Sequence, residues 1–196
     1  MKRFPVFFLL LFCACQPKKE KLFTAMSSTE TGISFQNTVI ENDSFNLIDY
    51  YYVYNGGGVA VGDINNDGFT DVYFTGNQVA DKLYLNTGNF EKSTFKFEDI
   101  TEKAGIKKVG WSTGVTMADV NGDGLLDIYV CKSGNYPSSQ RANQLYINHS
   151  NEGKISFIES AKEYGLADTT FSNQAAFFDF DKDNVEEMRL VSQLLE

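Results

Sequence analysis

Histidine occurs once in 196 residues, as His149, and cysteine three times, as Cys13, Cys15 and Cys131. A lone imidazole cannot build a zinc site of several histidines. His149 also lies in a polar turn, Asn148-His149-Ser150-Asn151, where solvent exposure is expected in place of catalysis. There is no Gly-x-Ser-x-Gly elbow and no phosphate loop. Two cysteines fall within the first fifteen residues, so no disulfide framework is expected, and Cys131 reads as a small buried hydrophobe in an apolar strand. Basic residues are few: 17 Lys and Arg against 26 Asp and Glu, a net charge of −9. No basic stripe is available to neutralise phosphates, which excludes nucleic acid as the expected partner. Long apolar runs are missing too. The stretch Phe4 to Phe12 is too short to span a bilayer as a helix.

Acidic loops are what the chain has in quantity. Asp63-Ile64-Asn65-Asn66-Asp67-Gly68-Phe69-Thr70-Asp71 is the first, and Asp119-Val120-Asn121-Gly122-Asp123-Gly124-Leu125-Leu126-Asp127 the second. A third, Asp179-Phe180-Asp181-Lys182-Asp183-Asn184-Val185-Glu186-Glu187, has Asn in place of glycine and Glu in place of the last Asp. Oxygen side chains at positions 1, 3, 5 and 9, with glycine at 6, suit a hard cation. Calcium takes six to eight oxygens at about 2.3–2.6 Å, and the glycine permits the sharp turn. The expected ligands are Asp63, Asn65, Asp67 and Asp71 with the carbonyl of Phe69, then Asp119, Asn121, Asp123 and Asp127 with the carbonyl of Leu125. Asp179, Asp181, Asp183 and Glu187 with the carbonyl of Val185 form the weakened third set. The alternative is an Asx-rich turn that needs no metal.

An EF-hand opens with the same spelling but closes with Glu at position 12, on a helix. Position 12 here is Phe74 or Val130, and the fourth carboxylate sits at position 9. The flanks, Gly58 to Gly62 and Asp71 to Thr75 in the first copy, are short, β-branched and aromatic, with no helical stripe. Each loop therefore joins two strands of a hairpin.

The repeat extends beyond the loop. Lys82-Leu83-Tyr84-Leu85-Asn86 and Phe95-Lys96-Phe97 follow the first copy; Gln144-Leu145-Tyr146-Ile147-Asn148 and Ile155-Ser156-Phe157 follow the second. Asp63 and Asp119 are 56 residues apart, Asp119 and Asp179 are 60, and the polar insert Ser133 to Gln140 accounts for much of the difference. Four strands per unit predict an all-β chain of β-propeller blades, each a four-stranded antiparallel sheet. Two blades and part of a third are fewer than the four to eight of a closed propeller. The expectation is therefore a piece of a longer propeller, or a stack completed by an oligomer.

The units resemble FG-GAP repeats of the VCBS class, related to the blades of integrin α-subunit propellers. The matching residues run from Asn55-Gly56-Gly57-Gly58-Val59-Ala60-Val61-Gly62-Asp63 to Gly76, and from Trp111-Ser112-Thr113-Gly114-Val115-Thr116-Met117-Ala118-Asp119 to Val130. The resemblance implies a cation in a hairpin loop at the blade rim, stiffening it. The name-giving Phe-Gly and Gly-Ala-Pro spellings are not met literally.

Met1-Lys2-Arg3, the apolar run and Cys13-Ala14-Cys15 match a bacterial signal peptide with a lipoprotein cleavage box. Residues 1–14 are thus expected to be removed, and Cys15 to carry the lipid. Losing Lys2 and Arg3 takes the net charge from −9 to −9 − 2 = −11. Residues 15–45 read as a tether, 46–187 as the repeat region, with Asp49 to Tyr54 as its first strand, and 188–196 as an atypical tail resembling a helical turn. The functional expectation is a non-enzymatic calcium-binding module. It is exported as an outer-membrane lipoprotein, facing the cell surface or the periplasm. Its expected partner is a glycan or protein, contacted through Tyr136 or the Tyr50–Tyr54 stretch if those aromatics are not simply packed. The lipid is the only expected membrane contact. The alternatives are part of a larger exported polysaccharide-acting enzyme, or a fragment with no function of its own.

Overall fold

The computed structural model describes residues 22–88, 94–107, 109–182 and 187–192. Strands β1 (Val59–Gly62), β2 (Asp71–Phe74), β3 (Lys82–Asn86) and β4 (Phe97–Asp99) form one antiparallel sheet in chain order. Strands β5 (Trp111–Ala118), β6 (Asp127–Ser133), β7 (Gln144–Asn148) and β8 (Phe157–Glu159) form the second in the same way. Strands β9 (Ser172–Phe178) and β10 (Glu187–Ser192) make a two-stranded third sheet. The described residues are thus nearly all β, in stacked blade-like sheets that do not close into a barrel. No helix among them is long and apolar enough to cross a membrane.

Successive side chains of a strand point to opposite faces, and both faces of the second sheet meet a neighbouring sheet. Ala60, Tyr73 and Leu83 of the first sheet pack against Val115, Ile128, Val130 and Tyr146 of the second. The other face of the second sheet, with Tyr129, Cys131, Leu145 and Ile147, packs against Ala175, Phe177, Met188 and Leu190 of the third. Being covered on both sides, β6 is buried at all seven positions, and so carries a continuous apolar run in place of alternation. Cys131 sits inside this layer, where burial pushes its thiol up to about 12.

The same polar contact recurs in both sheet interfaces. Asp81, just before β3, accepts at Oδ1 from Gly76 N (2.8 Å). Its Oδ2 accepts from Tyr73 Oη (3.0 Å) and from Ser112 Oγ of the next sheet (2.9 Å). Asn143, just before β7, accepts at Oδ1 from Lys132 N (2.7 Å) and donates from Nδ2 to Tyr129 Oη (3.0 Å) and Ser172 Oγ (2.9 Å). Tyr73 and Tyr129, Gly76 and Lys132, and Ser112 and Ser172 occupy equivalent places in successive units. The first contact is ionic and the second neutral. The buried Lys132 Nζ lies 3.7 Å from Asp81 Oδ2 and donates to Ser112 Oγ at 2.7 Å. A carboxylate taken out of water needs such a countercharge.

Three expectations are corrected. From Ser34 on, the expected tether meets the first sheet, with Phe35 stacked on Phe74. A short helix α1 (Ser28–Thr31) leads to Gly32 at φ +83°, then to Ser34, whose N–H donates to Tyr84 Oη at 3.3 Å. Between the sheets, Gly105 at φ +88° leads to Lys107, whose N–H donates to Tyr146 Oη at 3.3 Å. A Cβ on Gly32 would lie 2.5 Å from Phe97 O, and one on Gly105 2.8 Å from Phe157 O. Thr31-Gly32-Ile33 and Ala104-Gly105-Ile106 are therefore the same joint, and the repeat reaches back into residues 28–34. Asp49 to Tyr54 forms turns, not a strand. Tyr50 and Val53 are spaced to reach Trp111 together, and Phe45 and Tyr136 join them. The tail is strand and not helical turn over Glu187–Ser192, because Met188 and Leu190 alternate inward onto the second sheet. The polar insert also differs in detail, since it ends in a short helix α2 (Ser138–Arg141).

Breaking the ionic contact on one side should destabilise strongly. Lys132→Met should cost about 3–5 kcal/mol in urea unfolding. Adding Asp81→Asn should recover most of it, since Asn143 already holds the second interface without a charge. No recovery in the double variant would refute the equivalence of the two contacts.

Candidate calcium loops

All three acidic loops connect residues already paired across a hairpin. Gly62 pairs with Asp71, Ala118 with Asp127 and Phe178 with Glu187, so all three loops span the same gap. The backbone turns through positive φ at position 4 in each: +57° at Asn66, +73° at Gly122 and +66° at Lys182. It does so again at position 6, +86° at both Gly68 and Gly124, a region glycine enters without steric cost.

Within this frame the two good loops share most of their hydrogen bonds; they differ where Asp63 accepts from Asn65 N and Asp119 from Gly122 N. Asp63 accepts from Asp67 N at 3.1 Å and Gly68 N at 2.7 Å; Asp119 accepts from Asp123 N at 3.1 Å and Gly124 N at 2.8 Å. Asn65 Nδ2 donates to Asp67 Oδ2 at 2.9 Å, as Asn121 does to Asp123. The position-9 carboxylates are buried and tie the loop to the sheet. Asp71 accepts from Ile64 N (3.0 Å) and Asn86 N (2.7 Å); Asp127 accepts from Val120 N (3.0 Å) and Asn148 N (2.7 Å). The Asn side chains then reach back to the loop backbone, Asn86 to Thr70 O and Asn148 to Leu126 O.

The electrostatics follow from the burial. Desolvation pushes the Asp71 carboxyl up to about 6, with the charges of Asp67 and Asp63 adding to the rise against the two N–H bonds. Asp127 is raised for the same reasons, with Asp123 and Asp119 as its neighbours. Each loop thus gathers three carboxylates, one amide oxygen and a backbone carbonyl within nine residues, a donor set of hard oxygens that fits calcium. Among the described residues no three His, Cys, Asp or Glu side chains already stand at metal-ligand geometry. The carboxylates of Asp63, Asp67, Asp119 and Asp123 instead accept from loop N–H groups.

The third loop is described only in part. Lys182 N donates to Asp179 Oδ1 at 2.5 Å, as Gly122 N does to Asp119 Oδ1 at 2.8 Å. Asp181 is exposed, while Asp183, Val185 and the side chain of Glu187 lie outside the described residues, as does Cys15. His149 is exposed.

This geometry agrees with the comparison by family. Residues 63–130 match the FG-GAP-like repeat. The matched span runs from Asp63, the first residue of loop one, through the second loop and into β6. No curated protein matches the chain. Beyond the candidate loop residues, Asn86 and Asn148 were not anticipated as loop supports. Their signal was their recurrence at the end of two Leu-Tyr-x-Asn strands.

A raised carboxyl pKa favours the folded state while the group is neutral. That stability is present below the ordinary value of 3.8 and is lost as pH rises through about 6. In chelator, the melting temperature should therefore fall between pH 4 and 7, and calcium should counter the fall. A chelated protein that gains stability over this range would contradict the buried placement of Asp71.

Proposed function

We propose that the chain is a calcium-stabilised β-repeat module, exported, lipid-anchored through Cys15, and used to bind a glycan or protein partner. One observation carries the calcium reading: the same oxygen set recurs in two loops with most of the same hydrogen bonds and the same pair of positive-φ residues. Three formal negative charges per loop repel at close range, and a divalent ion relieves that repulsion. Two ions supply +4 against the −11 expected of the cleaved chain. The role is structural, holding hairpin rims in one shape, and it assigns no reaction to the exposed His149.

Partner contact falls to surfaces away from the ligands. Tyr51 and Tyr54 project into solvent, whereas Tyr50 is buried and Tyr136 packs beside it against Trp111. The outer sheet faces are a second contact surface. Val59 and Val61 are 56% and 63% exposed. Their equivalents Val115 and Met117, and again Ala175 and Phe177, pack against a preceding sheet. A further sheet of the same kind, from a longer chain or a second copy, fits that face.

A calorimetric calcium titration, run beside thermal melts with calcium or chelator, tests the reading. Dissociation constants of about 0.1–1 mM are expected. Calcium at 100 times the dissociation constant should add about 2.7 kcal/mol per site. Asp67→Asn and Asp123→Asn should each remove one site. A flat titration with identical melts would leave the loops as metal-free Asx turns.

A further inference from the structure

The first two loops are hydrogen-bonded to each other. Asn66, position 4 of the first, donates from Nδ2 to Gly124 O, position 6 of the second, at 2.9 Å. Asn148, 1% exposed at the end of β7, makes the other link. Its Nδ2 donates to Ile64 O (2.8 Å), between two ligand positions of the first loop, and to Leu126 O (3.0 Å) in the second. Its N–H donates to Asp127 Oδ1, the position-9 carboxylate of the second loop, at 2.7 Å. One residue thus holds a ligand of one loop and the backbone of the other.

We infer that the two loops bind calcium as a coupled pair, with Asn66 and Asn148 as the positioning residues that join them. The inference rests on the calcium reading above. An ion in the second loop fixes Asp127 and the backbone around Gly124, and with them the partners of Asn148 and Asn66. The first loop then has less freedom left to lose when it closes on its own ion. Coupling of this kind is reciprocal, so filling the first loop favours the second equally. The pair stops there on this side. At the place of Asn66 the second loop has Gly122, which has no side chain to reach the third.

The test uses calcium alone on the purified protein, with site affinities read by calorimetry. Asp123→Asn disables the second loop at an exposed position. First-loop affinity should then drop about fivefold, at the low end of typical coupling. Asn66→Gly suits the positive φ and copies the residue that the second loop has there. In that background the effect of Asp123→Asn should shrink clearly towards onefold. Asn148→Ser should act likewise, and if that variant fails to fold the Asn66 comparison still decides. Two ions bound with affinities indifferent to the other loop would overturn the coupling and leave the calcium reading intact. No binding by the unmodified protein would overturn both. A fivefold effect undiminished by Asn66→Gly would overturn the route through Asn66.

Discussion

The buried carboxylate at position 9 is the interaction on which each unit depends. Asp71 and Asp127 stand at the first residue of the second strand in their sheets. Each accepts one N–H from the loop and one from the end of the third strand. A single side chain therefore fixes loop, hairpin and sheet together. The arrangement has an electrostatic cost, because desolvation and two neighbouring carboxylates oppose the charged form. A cation bound as proposed would offset that cost. By neutralising the loop it would strengthen the joint that holds the sheet.

Sheet stacking transmits this local order along the chain. The second sheet lies between two others, and its strand β6 is buried throughout. Among the polar groups in the interfaces, one contact is repeated, where Asp81 or Asn143 meets a Tyr and the next sheet's Ser. Such groups are tolerated when fully hydrogen-bonded, and they fix register where apolar packing alone would allow sliding. The glycine joints at Gly32 and Gly105 act similarly, since backbone approaches too close for a Cβ.

Much of this was legible in the residues. Nine-residue loops state their own geometry, because every ligand lies within one turn of chain. The strands were legible as well, from β-branched and aromatic runs either side of each loop. The tail misled because Leu190-Val191-Ser192-Gln193-Leu194-Leu195 suits either period, and only pairing with β9 chose the strand. The Tyr50–Tyr54 run misled in the opposite sense, for its aromatics serve a turn packed on Trp111. The joint at Gly32 was hidden by the low similarity of Ser28-Thr29-Glu30-Thr31 to Thr101-Glu102-Lys103-Ala104.

Sequence alone determined the three acidic loops, the order of their oxygen-bearing side chains and the four-strand unit, since these depend on residues a few positions apart. Tertiary structure decided which faces meet, that Asn148 and Asn66 bridge two loops, and that Lys132 neutralises Asp81. Those contacts join residues 51 to 84 positions apart (Lys132 − Asp81 and Asn148 − Ile64). No local spacing encodes them, because they exist only once neighbouring sheets have stacked and carried the loops side by side.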